Sequence, residues 1–142
     1  MSLGRFPFGP LPKYPHMKPE DVAVWNRFVS GNAGLFERCD YDVCCGPGEQ
    51  YDEAMQENMR AMGTHNTRRK IDVVAYKGDV HTVIEVKPIA NMRGLGQILT
   101  YRDEYREDHP EVLDVQAAIV AGRVERGLSA LYAKHRVEIH IA

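Results

Sequence analysis

No apolar run in this chain of 142 residues approaches the roughly 20 that a membrane-spanning helix needs, so a membrane span is not expected. The N-terminus has one early cation, Arg5, and no apolar stretch after it, so a secretory signal is not expected either. Cysteine is scarce. The three residues, Cys39, Cys44 and Cys45, form an odd set without a Cys-x-x-Cys spacing. This argues against a disulfide framework and a structural zinc, and for free thiols in a reducing, cytoplasmic compartment. The six histidines (16, 65, 81, 109, 135 and 140) lack the tight spacing of a metal site. A formal charge of −2 gives no global attraction to polyanions, so any contact with nucleic acid must come from local basic clusters. No internal repeat is present, and no low-complexity tract beyond a proline-rich start.

What remains is a chain of ordinary domain size, able to bury a core without covalent staples. Residues 1–18 hold Pro7, Pro10, Pro12 and Pro15 among Phe6, Phe8 and Tyr14. They read as an extended arm that wraps over the domain or reaches a partner subunit. A single domain then covers residues 19–142. Pro19, Glu20 and Asp21 open a helix whose apolar face is Val22, Trp25, Phe28 and Val29, with Trp25 as its core anchor. A strand is expected over residues 35–45. Residues 49–62 read as a short helix or an irregular insertion (49–66 as a whole), with Met55, Met59 and Met62 as packing residues, and 64–69 as a polar connection. Pro88 is expected to end the second of two hairpin strands. A helix over 93–107, a strand over 112–121 apolar enough to be buried on both faces, an amphipathic helix over 124–135 and a strand over 137–141 follow. The order predicts an α/β sandwich around a mixed sheet, with a hairpin feeding a parallel crossover.

The chemistry lies in that hairpin. Residues 70–76 and 81–87 are rich in β-branched side chains, and Gly78-Asp79 between them suits a two-residue turn. Counting back from that turn pairs Lys77 with Val80, Tyr76 with His81, and Asp72 with Glu85. Facing carboxylates about 5 Å apart repel one another, and a divalent cation between them removes the repulsion. Lys87, two residues beyond Glu85, shares its face. Two acids and an amine on one patch suit metal-dependent phosphodiester hydrolysis. Asp72, Glu85 and the backbone carbonyl of Val86 would supply oxygen ligands to Mg²⁺ or Mn²⁺. Lys87 would orient or deprotonate the attacking water, or neutralise charge on the phosphate. Arg93, Gln97 and Tyr101 lie along one face of the following helix, with groups suited to water positioning and phosphate contact. Arg68, Arg69 and Lys70 form a basic cluster leading into the Asp72 strand.

These residues resemble the PD-(D/E)XK nuclease superfamily: Ile71-Asp72, then Ile84-Glu85-Val86-Lys87, then Gly96-Gln97-Ile-Leu-Thr-Tyr101, the last similar to an element of RecB-type nuclease domains. The resemblance covers residues 20–141 and extends to small phage and bacterial proteins of that superfamily. It implies a restriction-endonuclease-like α-β-β-β-α-β core, a mixed sheet flanked by helices, and Mg²⁺- or Mn²⁺-dependent endonuclease activity on DNA leaving a 5′-phosphate. It implies metal ligation by Asp72 and Glu85, a catalytic Lys87, auxiliary roles for Gln97 and Tyr101, and, for so small a nuclease, a homodimer. Ile71 stands where that family's name-giving proline often sits. Glu20 and Asp21 are the candidates for its additional helical acid, so one-metal chemistry is expected. A low-turnover nucleic-acid-binding or phage-assembly module, and a nuclease acting on RNA, use the same residues.

Overall fold

The computed structural model describes residues 3–49 and 56–142. The elements run β1 (Phe6–Pro7), α1 (Pro19–Gly31), β2 (Arg38–Cys45), α2 (Glu57–Thr67), β3 (Arg69–Lys77), β4 (Val80–Ala90), α3 (Met92–Asp108), β5 (Asp114–Val124), α4 (Ser129–Lys134) and β6 (Val137–Ile141). Six strands form one sheet in sequence order, β1 to β6. The pairings from β1 through β4 are antiparallel, and those of β4 with β5 and β5 with β6 are parallel. The mixed sheet and its parallel crossover follow the sequence reading. Among the described residues no helix is long and apolar enough to cross a membrane.

Each face of the sheet carries a core. On one, α1 lays Val24, Trp25, Phe28 and Val29 against Val73, Ala75, Ile84, Val86, Ala118 and Val120. On the other, α3 and α4 bring Leu95, Ile98, Tyr105 and Tyr132 onto Val74, Val83, Ala117 and Ile119. Strand alternation sorts neighbouring residues into opposite cores, and β5 is buried on both faces, as its apolar sequence requires. The arm wraps over its own domain. Phe8 sits edge-on against Trp25, Phe28 and Phe36, and the Asp40 carboxylate accepts from the Gly4 and Arg5 amides, each at 2.8 Å.

Several expectations need correction. Within the extended arm, Phe6 and Pro7 add a short edge strand to β2. The strand expected from residue 35 begins at Arg38. The expected connection over 64–69 is mostly the end of α2, and Tyr51, Ala54 and Met55 lie outside the described residues. Met59 and Met62 are 54% and 65% exposed rather than packed, because α2 lies on the surface without a sheet beneath it. Pro88 does not end β4, which continues to Ala90 beside β5. The Val86 N–H turns toward β3, and alternation turns position 88 the same way, past the end of the β3 pairing. A missing N–H there breaks no ladder bond. The helix expected over 124–135 shrinks to Ser129–Lys134, because β5 runs to Val124 and Gly127 at φ +83° turns the chain before a helix can form.

Candidate active site

The hairpin has the predicted register: Lys77 pairs with Val80, Tyr76 with His81 and Val73 with Ile84. Gly78 supplies the positive φ of +56° that the turn needs. The ladder then stops one step short of Asp72 and Glu85. In its place, Asp72 Oδ2 accepts the Val86 N–H at 2.9 Å, so a carboxylate substitutes for the main chain where β3 parts from β4.

An irregularity in two strands accompanies this parting. Tyr41 and Val73 pack on the α1 side, yet Val43 and Ile71, two residues away on their strands, pack on the α3 side. Both strands therefore exchange faces at Asp42 and Asp72. Asp42 has φ +55°, a left-handed conformation that aspartate tolerates better than most residues.

The opening beside Asp72 and Glu85 is a cleft of about 300 Å³. His16, Lys18, Glu20 and Asp21 border it from the arm and α1, Arg93 and Gln97 from α3, and Glu85 to Pro88 from β4. α1 and α3 lie on opposite faces of the sheet, and both border this gap.

Glu85 is 7% exposed, and the Asp72 carboxyl is its foremost electrostatic neighbour among the groups that shift it. Burial, and then the Asp72 charge, raise the Glu85 pKa to about 9. Burial also raises Asp72, against the pull of the Val86 N–H, the Glu85 carboxyl and the Lys87 charge. Without a cation, the pair holds a proton at neutral pH. Asp21 is raised too, first by burial and then by Asp72. Tyr101, on α3, is raised to about 12 by burial and then by the charges of Glu85 and Asp72.

Two buried acceptors here have no donor: Glu85 Oε2 and Gln97 Oε1. Orphaned acceptor oxygens beside a proton-sharing carboxyl pair are what a hard cation would satisfy, and this donor set fits Mg²⁺ or Mn²⁺. Among the described residues, however, no cluster of three or more His, Cys, Asp or Glu side chains is arranged to hold an ion. The ligands available are two carboxylates and main-chain or amide oxygens.

The fold thus brings together Asp72, Glu85, Val86, Lys87, Arg93, Gln97 and Glu20 around the cleft, with Tyr101 within electrostatic reach. It does not bring the basic cluster. Arg69 pairs with Glu104 at 2.7 Å and Arg68 with Asp108 at 3.1 Å, both acids on α3, so these arginines fasten β3 to the helix. Lys70 does not border the cleft either. Sequence reasoning missed His16 and Lys18, and no motif marks them.

A mixed sheet flanked by helices, with the hairpin leading into a parallel crossover, is a restriction-endonuclease-like α/β fold. Two solved structures agree at the level of fold. The chain is similar to the protein in a structure of an EndoMS–dsDNA complex, at 17% identity and a TM-score of 0.51, over 93% of this chain and 48% of that one. It is similar to a protein of unknown function, AF1548, at 12% identity and a TM-score of 0.50, over 84% of this chain and 54% of that one. A repair endonuclease from Pyrococcus abyssi aligns over 51% of this chain and 32% of its own, at 22% identity and a TM-score of 0.42. The chain spans about half the length of the first two structures. No family model matches the sequence, and no curated protein does.

Proposed function

We propose that this protein is a metal-dependent nuclease that hydrolyses phosphodiester bonds in DNA. The observation that carries the reading is the Asp72–Glu85 pair at the fork of β3 and β4, with Asp72 half-buried and Glu85 buried and its Oε2 unpartnered. Asp72, Glu85 and the Val86 carbonyl would hold one Mg²⁺ or Mn²⁺. Such an ion, when bound, polarises the scissile phosphate and acidifies a coordinated water. The chain's own residues do the rest. Lys87 borders the same cleft and suits an ammonium that orients the attacking water or neutralises charge on the phosphate. Gln97 offers its amide toward that water. Arg93, exposed at the rim, is suited to the neighbouring phosphate. Tyr101 keeps its proton at neutral pH and can donate a hydrogen bond without adding negative charge. Water adds to phosphorus as the bond to the 3′ oxygen breaks, leaving a 5′-phosphate.

The test is incubation of purified protein with single-stranded, duplex and branched DNA, and with RNA, in Mg²⁺ or Mn²⁺. Cleavage of DNA that is lost with Lys87→Ala or Glu85→Gln supports the reading. No cleavage of any substrate, or undiminished cleavage by Lys87→Ala, overturns it. One observation favours a second reading, a nuclease-fold module that binds nucleic acid with little turnover: among the described residues no group of three or more His, Cys, Asp or Glu side chains is arranged to hold an ion. Calorimetry with Mn²⁺ separates the two, because only a working site binds the ion and loses it with Asp72→Asn.

A further inference from the structure

The two edges of the sheet are built differently. At one end β1 is two residues long, contains Pro7 and is followed by Pro10 and Pro12, so little can pair with it. At the other end β6 is a five-residue strand, Val137-Glu-Ile-His-Ile141, with neither proline nor lysine to guard it. Its pairing with β5 determines which groups are free. The Ala142 N–H donates to the Ala121 carbonyl at 2.9 Å, so the even-numbered residues of β6 turn toward β5. Val137, Ile139 and Ile141 therefore direct their main-chain N–H and C=O groups outward.

We propose that β6 pairs antiparallel with β6 of a second copy of this chain, centred on Ile139. The strand is self-complementary in that register. Ile139 meets the partner's Ile139, Val137 meets the partner's Ile141, and each outward N–H finds an outward carbonyl. Glu138 falls opposite the partner's His140 and His140 opposite the partner's Glu138. These side chains already lie 3.2 Å apart within one strand, and Glu138 is largely exposed, so its carboxylate is free to serve both. On the other face Ile141, 57% exposed, and Val137 beside it border a groove of about 710 Å³ between α4 and β6, which the partner's Ile141 would enter.

The register has one consequence for the nuclease reading, on which the pairing itself does not depend. Glu85 aligns with Ile119, and Ile119 with Ile139, so Glu85 lies on the row through the two-fold axis. An axis of this kind stands perpendicular to the sheet and puts both clefts on one side of it. Five strand spacings of about 4.8 Å separate the two copies of β4, roughly 24 Å in the sheet plane.

The test is sedimentation equilibrium of the full chain, with hydrogen exchange as a second readout. Wild type is expected to dimerise, and the Ile139 and Ile141 amides to gain protection as protein concentration rises. His140→Glu sets carboxylates opposite each other across the axis, and Glu138→Lys removes the acid that faces the partner's His140; each should weaken self-association by about tenfold. Mixed in equal amounts, the two variants regain complementary pairs and should form a heterodimer. Ile141→Pro removes an outward N–H and the side chain that would enter the partner's groove, leaves the bonds to β5 in place, and provides a second disruption if a charge variant fails to fold. Wild type that stays monomeric at every concentration overturns the proposal. So do single variants that self-associate as tightly as wild type, or a mixture that gains nothing. None of these readouts involves DNA cleavage.

Discussion

Glu85→Gln should make the metal-free protein more stable while destroying its ion site. Unfolded, the Glu85 carboxyl ionises near 4.5, whereas in the folded protein it does so at about 9. The folded state therefore prefers the protonated form. Its contribution to stability is fully present below pH 4.5 and is lost progressively as pH rises toward 9. At pH 7 folding must capture a proton over about 2.5 pH units, a cost of about 3 kcal/mol at 1.36 kcal/mol per unit. Glutamine fills the same volume, carries no charge and offers an amide N–H to Asp72. It should recover about 1–3 kcal/mol of that cost, or about 3–10 °C in midpoint for a domain of this size. The assay is thermal unfolding followed by circular dichroism in a chelator, from pH 5 to pH 9. The difference between variant and wild type should widen with pH. Added Mn²⁺ should raise the wild-type midpoint and leave the variant unchanged. Parallel curves for the two proteins across that range would show that Glu85 is not held protonated and would refute the reasoning.

Mn²⁺ binding to wild type near pH 7 should release about one proton per ion, because the cation displaces the one the pair shares; the dependence of binding enthalpy on buffer ionisation heat measures this. Gly94→Ala should lower cleavage much more than stability, since its Cβ would come within 3.0 Å of Ile119, 3.1 Å of the Tyr132 hydroxyl and 3.2 Å of Lys87 Cδ; rates and midpoints compared on the same preparation decide this. Asp40→Ala should cost roughly 3 kcal/mol and free the arm, because this carboxylate also accepts from the Tyr76 hydroxyl at 2.8 Å; limited proteolysis should then cut near residue 10, and an arm as resistant as wild type would count against the anchor. Arg69→Ala should lower thermal stability slightly and leave DNA affinity intact, whereas Arg93→Ala should weaken DNA binding and reduce its salt dependence; titrations at two salt concentrations distinguish them.

Much of the local structure follows from the order of the residues alone. A two-residue Gly-Asp turn between β-branched runs admits one register, and counting from it brings Asp72 toward Glu85 and puts Lys87 on the same face. The apolar runs separate half-buried strands from the fully buried β5. Helical spacing marks the Trp25 face of α1 and the Gln97–Tyr101 face of α3. These are short-range properties, set by the period of the backbone and the φ preference of single residues. Tertiary structure decided what depends on neighbours distant in the chain. Whether a proline ends a strand depends on whether another strand needs its N–H, and beside Pro88 none does. What Arg68 and Arg69 pair with depends on what lies opposite, and in this fold that is two acids on α3. The departure of β3 from β4, the exchange of faces at Asp42 and Asp72, and the closing of the cleft by His16, Lys18 and Asp21 arise where segments far apart in sequence share one volume. A carboxyl pair acquires its raised affinity for protons only when that volume excludes water.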